Sequence, residues 1–133
     1  MLLVFVFSNI LRTIGNRSGK RKEVAYVYGY DGDLYITRNL GKKGVNTDIS
    51  YKEDASVSKA ISDDGGKYAY VNVDRKLYKV NISNGKSDKI LSGISSFQYL
   101  GGNKVLAIKD EELVLYNGKD DESILDDVVL FIV

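Results

Sequence analysis

Ten tyrosines and a series of paired acidic residues are the main chemical material in this chain of 133 residues, which has no His, Cys, Trp or Pro. Without His there is no Ser-His-Asp relay, no imidazole base and no ordinary zinc site. Without Cys there is no thiolate nucleophile, no thiolate metal site and no disulfide framework. The redox compartment stays open, because a chain lacking Cys suits either side of a membrane. Acid-base work would have to fall to Asp, Glu, Lys or Tyr.

The acids sit in short clusters at Asp31/Asp33, Asp63/Asp64, Asp110/Glu111/Glu112, Asp120/Asp121/Glu122 and Asp126/Asp127. Calcium needs several converging oxygens, and an EF-hand loop needs them at alternate positions with a Gly sixth and a Glu twelfth. Asp31-Gly32-Asp33 meets that pattern for two positions and then fails. The other clusters lie where turns are expected, and there Asp satisfies nearby backbone N–H groups. No metal and no cofactor are expected. Two glycine-lysine stretches resemble phosphate loops only in part. Gly85-Lys86-Ser87 has Val80 where the first Gly should be, and Gly15 through Lys20 is one residue short and runs into Arg21. Neither opens a helix, which the phosphate-binding mechanism requires.

Tyr26, Tyr28 and Tyr30 alternate along the chain, as do Tyr68 and Tyr70. In a strand, positions i and i+2 share a face, so each set would form an aromatic stripe. The weightier reading is packing, since Tyr is a good strand residue that fills space and keeps its hydroxyl at a rim. The sharper reading is a recognition surface for a glycan or a protein segment, because Tyr offers large area with a polar tip. These five tyrosines are the candidate ligand-binding residues, and no catalytic residue is assigned.

The elements that must position them are strands. The chain has the length of one domain, enough to bury roughly 70% of its unfolded surface. Hydrophobic residues make up 44% and charged residues 28%, a globular balance. The net charge of +1 gives no case for nucleic acid. From Glu23 onward, alternating runs are broken by Gly, Asn and Asp about every eight to twelve residues, the mark of an all-β fold. No amphipathic helix stands out.

The runs repeat. Ala25-Tyr26-Val27 leads to Asp31-Gly32-Asp33-Leu34-Tyr35. Ala69-Tyr70-Val71 leads to Asp74-Arg75-Lys76-Leu77-Tyr78, and Ala107-Ile108 leads to Asp110-Glu111-Glu112-Leu113-Val114. Each second strand reaches a Gly-Lys pair, at Gly41-Lys42, Gly85-Lys86 and Gly118-Lys119, the last two preceded by Asn in the hairpin-favouring Asn-Gly pair. Val57/Ala60, Ile94/Phe97 and Val128/Phe131 share one spacing and set a period of 37 and then 34 residues. Four strands per unit at this period predict β-propeller blades. We expect a partial blade at 23–52, full blades at 55–92 and 93–126, and the start of another at 127–133. That is about two full four-stranded antiparallel blades with partial blades at each end.

The turn Ser62-Asp63-Asp64-Gly65-Gly66-Lys67, the strand Tyr68-Ala69-Tyr70 and the strands at Asp33-Leu34-Tyr35 and Lys76-Leu77-Tyr78 resemble the propeller repeat of the TolB and prolyl-oligopeptidase-like families. Those repeats use a Ser-Pro-Asp-Gly-Lys turn, where this chain has no Pro and one extra residue. The resemblance covers residue 23 to the C-terminus. It implies a propeller fold and a non-catalytic role, because in peptidases of that kind the nucleophile belongs to a separate α/β domain. Propellers close with about four to eight blades, so the resemblance also raises the question of a truncated propeller, or of blades whose open sheet edges pair with another copy.

The start, residues 1–7, is wholly apolar and too short to cross a bilayer alone. Two readings fit it: the remnant of a membrane anchor, or a β-strand that pairs with the similar run at 128–133. The basic cluster Arg17, Lys20, Arg21 and Lys22 fits a solvated linker or contact with anionic lipid. Together these features point to a binding or scaffold module associated with the cell envelope. Its partners would be a protein or a glycan, with a truncated propeller piece or an enzyme accessory domain as the alternatives.

Overall fold

A computed structural model of the protein describes residues 2–3, 25–39, 41–50 and 57–127, with side chains from residue 25 onward apart from residues 57–59. The basic cluster of residues 17–22 and the run 128–133, with its expected pairing to residues 4–7, lie outside the described residues. Among the described residues the fold is all-β, with no helix and so none long and apolar enough to cross a membrane.

Three antiparallel four-stranded sheets follow one another along the chain. The first holds β1 (Leu2–Leu3), β2 (Tyr26–Tyr30), β3 (Asp33–Thr37) and β4 (Val45–Ser50). The second holds β5 (Val57–Ser62), β6 (Tyr68–Val73), β7 (Lys76–Asn81) and β8 (Ser87–Ser92). The third holds β9 (Ile94–Gly101), β10 (Lys104–Lys109), β11 (Glu112–Tyr116) and β12 (Asp121–Leu125). Strand order in each sheet is chain order. The first unit, expected as a fragment, carries four strands because Leu2 and Leu3 pair with Tyr30 and Gly29. The paired residues are more than twenty positions apart in the chain, so no local pattern announces the pairing.

The central hairpin of each sheet turns through two residues of positive φ. These are Asp31 and Gly32 (51° and 86°), Asp74 and Arg75 (51° and 64°), and Asp110 and Glu111 (46° and 69°). Positive φ at both central residues matches the right-handed twist of the flanking strands, which is why such turns join tight hairpins. Asp tolerates this backbone better than most side chains, so the acids at these corners are turn formers.

The sheets stack face to face around two cores. Val27, Leu34 and Ile36 of the first sheet pack against Ala60, Ala69, Val71, Val73 and Val80 of the second. On the opposite face of the second sheet, Tyr70, Leu77 and Leu91 pack against Ile94, Phe97, Val105, Ala107, Val114 and Tyr116 of the third. Strand β6 therefore alternates between two cores and buries five consecutive residues from Ala69 to Val73. Along the stack β5 lies against β2, β9 against β6 and β8 against β4.

Backbone contacts lock both seams. At the first, Asp48 N–H donates to the Gly85 carbonyl at 3.1 Å, Ser87 N–H donates to the Asp48 carboxylate at 3.3 Å, and the Ser87 hydroxyl donates to the same carboxylate. Gly85 has φ +78°, and a Cβ there would overlap the Asn46 carbonyl of the first sheet. At the second seam, Ile94 N–H donates to the Arg75 carbonyl at 2.9 Å and Asp110 N–H to the Gly93 carbonyl at 3.0 Å. Buried Asn72 donates from Nδ2 to the Ile94 carbonyl at 3.3 Å.

Candidate functional site

The richest meeting of aromatic and charged groups lies at one end of the second seam. The connection between β5 and β6, residues 63–67, there faces the connection between β9 and β10. The first of these is a self-contained turn. Asp63 N–H donates to the Tyr68 carbonyl at 2.7 Å, Gly66 N–H donates to the Asp63 carbonyl at 3.1 Å, and Lys67 N–H donates to Asp63 Oδ1 at 3.0 Å. Asp63 is thereby spent on the backbone, while Asp64 is exposed and points across the seam.

Tyr70 is fully buried and stacks on Tyr99 of β9, with ring centroids 4.9 Å apart and planes 22° from parallel. The Tyr70 hydroxyl donates to Asn103 Oδ1 at 3.4 Å, and Lys79 Nζ reaches the same oxygen at 3.3 Å. The Tyr99 hydroxyl donates to Asp64 Oδ2 at 3.5 Å. Lys79 Nζ also stands 4.4 Å from the Tyr68 ring centroid, and Lys67 Nζ stands 5.3 Å from it. Tyr68 thus presents a half-buried ring with two ammonium groups within cation–π distance.

The electrostatics favour neutral phenols. Burial, reinforced by Tyr99 and by Asp63, pushes the Tyr70 hydroxyl well above its ordinary value. Tyr99 is raised by burial and then by the nearby Asp64 carboxylate. Tyr116 is raised by burial, then by Asp120 and Asp88. Tyr78 is raised by burial, then by Asp74 and Asp48. A phenol held protonated donates hydrogen bonds and is a poor base or nucleophile. Among the described residues no group of three or more carboxylates is placed to hold a metal ion. What this end of the seam offers is the half-buried rings of Tyr68 and Tyr99, a carboxylate, two ammonium groups and a carboxamide, a set suited to holding a polar ligand.

The five candidate tyrosines form two stripes on two sheets, on faces that point in opposite directions. Tyr26, Tyr28 and Tyr30 occupy the face of the first sheet turned away from the second, on the side opposite Val27. There Tyr28 stacks on Tyr35 with centroids 5.4 Å apart, and its hydroxyl accepts the Gly44 N–H at 2.7 Å. Tyr26 is half-buried, and Tyr30 is 53% exposed. Tyr68 and Tyr70 face the third sheet, which covers Tyr70 completely. For Tyr70 the packing reading therefore describes the geometry, because no part of its ring reaches solvent.

Tyr99, Asn103, Lys79 and the outward role of Asp64 escape a reading of the sequence. Asp64 and Asn103 look there like independent turn residues. The repeat holds the missing signal, since superposing the two units brings residues 63–67 and 101–103 to equivalent corners of neighbouring sheets. Comparison with family models, with curated proteins and with solved structures found no match to this chain.

Proposed function

We propose that the three sheets are blades of a β-propeller and that the chain is a non-catalytic binding or scaffold module. The observation that carries this is the stack itself: three sheets of identical strand order, each packed on the next through its own core, with the same two-residue turn at the centre of each. The TolB-like wording of the repeat supports the same reading. Function in such a fold belongs to residues grafted onto it. The end of the second seam supplies them in Tyr68, Tyr99, Asp64, Lys67, Lys79 and Asn103. Its ligand is a polar segment of a protein or a glycan, held by ring faces and by both signs of charge.

The test is a screen of immobilised glycans and peptides with the wild-type chain and with Tyr68→Ala. Tyr68 is only half-buried, so its truncation should leave the urea midpoint within about 0.5 M, while affinity for any captured ligand falls at least about tenfold, or about 1.4 kcal/mol. Binding that survives both Tyr68→Ala and Lys79→Ala would refute the site. Turnover of ester, glycoside or phosphate substrates that tracks with these residues would refute the non-catalytic reading.

A further inference from the structure

The connections between strands fall at two ends of the stack, and the seams show that each end is shared by all three sheets. At one end the β3–β4 connection meets the β5–β6 connection, where a Cβ on Gly66 would overlap the Arg38 guanidinium. The β5–β6 connection in turn meets the β9–β10 corner, through Asp64 and Tyr99, and Tyr70 of β6 reaches Asn103. The β7–β8 and β11–β12 connections belong to the same end, because strand order is chain order. At the opposite end lie the two-residue turns 31–32, 74–75 and 110–111, and there Ile94 N–H donates to the Arg75 carbonyl.

Charge divides between these ends, although the whole chain carries only +1. In the described connections of the first end stand Arg38, Lys42, Lys43, Lys67, Lys86 and Lys119, against Asp63, Asp64 and Asp120. Lys79 and Lys104 join them from the adjoining strands, and Asp63 is already engaged by its own backbone. At the opposite end the turns and residues 126–127 hold Asp31, Asp74, Asp110, Glu111, Asp126 and Asp127. The one cation among these described residues, Arg75, stands 3.7 Å from Asp110. Most strands have five or six residues, which sets the two ends about 17–20 Å apart, about two Debye lengths at physiological salt. An anionic ligand at the first end is therefore screened from the acids of the other, and meets a cationic surface that the net charge conceals.

The aromatic and polar groups at the end of the second seam lie within this cationic end, and they narrow the kind of anion. Tyr68 and Tyr99 are half-buried, and Tyr99 already gives a face to Tyr70. That leaves little open ring for the base stacking on which single-stranded nucleic acid depends. Asp64 is exposed and accepts the Tyr99 hydroxyl through Oδ2. A carboxylate in that place repels a bare phosphate surface and accepts hydrogen bonds from hydroxyls. The set therefore asks for one ligand that carries negative groups and hydroxyls together. We propose that the ligand of this end is an acidic glycan, a hydroxyl-rich chain bearing sulfate or carboxylate groups. Lys67 and Lys79 take an anionic group beside Tyr68, Asp64 and Asn103 take hydroxyls, and Lys104 with the cations of the other connections extends the contact along the end. The proposal rests on the seam site being the ligand-binding site, and names its ligand class.

The test is calorimetric titration of the full chain with heparin as the acidic glycan, dextran as the neutral one, single-stranded DNA, and vesicles containing phosphatidylserine. Heparin should bind, its affinity should fall as salt rises, and dextran should bind at least about tenfold more weakly. Lys104→Glu and Lys76→Glu change the net charge equally, and each replaces an exposed residue that opens a strand, one at either end. Lys104→Glu should weaken heparin binding at least about fivefold and Lys76→Glu by less than about twofold. Circular dichroism should show both variants folded as the wild type. Equal losses in the two would mean that binding follows net charge, and would overturn the proposal. Dextran held as tightly as heparin, and lost in Tyr68→Ala, overturns the acidic ligand while the seam site stands. Heparin binding untouched by both Tyr68→Ala and Lys79→Ala overturns the seam site and this ligand with it. Tighter binding of the DNA or of the vesicles than of heparin overturns it in favour of nucleic acid or of an anionic membrane. A chain that leaves heparin unbound overturns it outright.

Discussion

Truncating Tyr70 to Ala removes the ring that joins the second sheet to the third. The side chain is fully buried, belongs to the second core and stacks on Tyr99 at 4.9 Å. Truncation of a buried aromatic costs about 3–5 kcal/mol through lost transfer energy and the cavity left behind. Part of that cost is the stacked pair, worth about 0.5–1.5 kcal/mol beyond area. Tyr70→Phe keeps the ring and loses one long hydrogen bond to Asn103 at 3.4 Å, a cost near the low end of the usual range, about 0.5 kcal/mol. With a urea m-value of about 2 kcal/mol/M, the two substitutions should lower the midpoint by about 2 M and about 0.3 M. Because the two cores are separate, the larger loss should fall on the step that releases the third sheet if unfolding splits into two, as in linear repeat arrays. The assay is urea unfolding followed by circular dichroism and tyrosine fluorescence. A Tyr70→Ala midpoint within about 0.5 M of wild type would refute the assignment of this ring to the core. If ligand binding vanished at the same time, Tyr70 would belong to a recognition surface instead.

Three other expectations are independent of that one. Gly85→Ala should be far more damaging than Gly32→Ala, judged by thermal unfolding. Both have positive φ, which costs a side chain about 1–2 kcal/mol, but Gly32 has open space around its missing Cβ while Gly85 faces the Asn46 carbonyl across the first seam. Equal losses would mean the sheets are not held this closely. Glu111→Gly should stabilise by about 1 kcal/mol, because Glu111 is exposed and sits at φ 69°; a loss in urea unfolding would contradict the turn geometry. Stability should fall as the pH rises above the ordinary tyrosine value near 10. Tyr70, Tyr78, Tyr99 and Tyr116 are raised in the folded chain, so above pH ~10 the unfolded chain releases phenolic protons that the folded chain keeps, and linkage then favours unfolding. In a spectrophotometric titration, Tyr70 phenolate should appear only together with loss of the β signal. Reversible ionisation of all ten tyrosines in the folded chain would refute the burial that raises them.

The repeat carried most of what could be read in advance. Asp31, Asp74 and Asp110 were legible as corners because a two-residue hairpin turn demands particular residue types locally, and the backbone there has positive φ in all three. The expectation that the acidic clusters lie in turns holds for Asp63, which caps its own loop, but Glu112 opens β11 and Asp121 and Glu122 open β12, because a charged side chain on a strand can project to solvent as readily as one in a turn. The tyrosine stripes were legible as stripes, since period two follows from the strand itself. Which stripe is covered was not, because nothing within Tyr68-Ala69-Tyr70 distinguishes a ring facing solvent from one facing another sheet.

Covalent order and short-range stereochemistry therefore determined the strands, their turns, their repetition and the absence of imidazole and thiol chemistry. Only the tertiary structure decided the rest. It added Leu2–Leu3 as the fourth strand of the first sheet, buried Tyr70, and set Asp64, Lys79, Tyr99 and Asn103 around one end of a seam. These are contacts between residues tens of positions apart, fixed by how two sheets bury their apolar faces together. Such packing selects partners by shape and area across the whole interface, and a linear pattern carries no record of which face meets which.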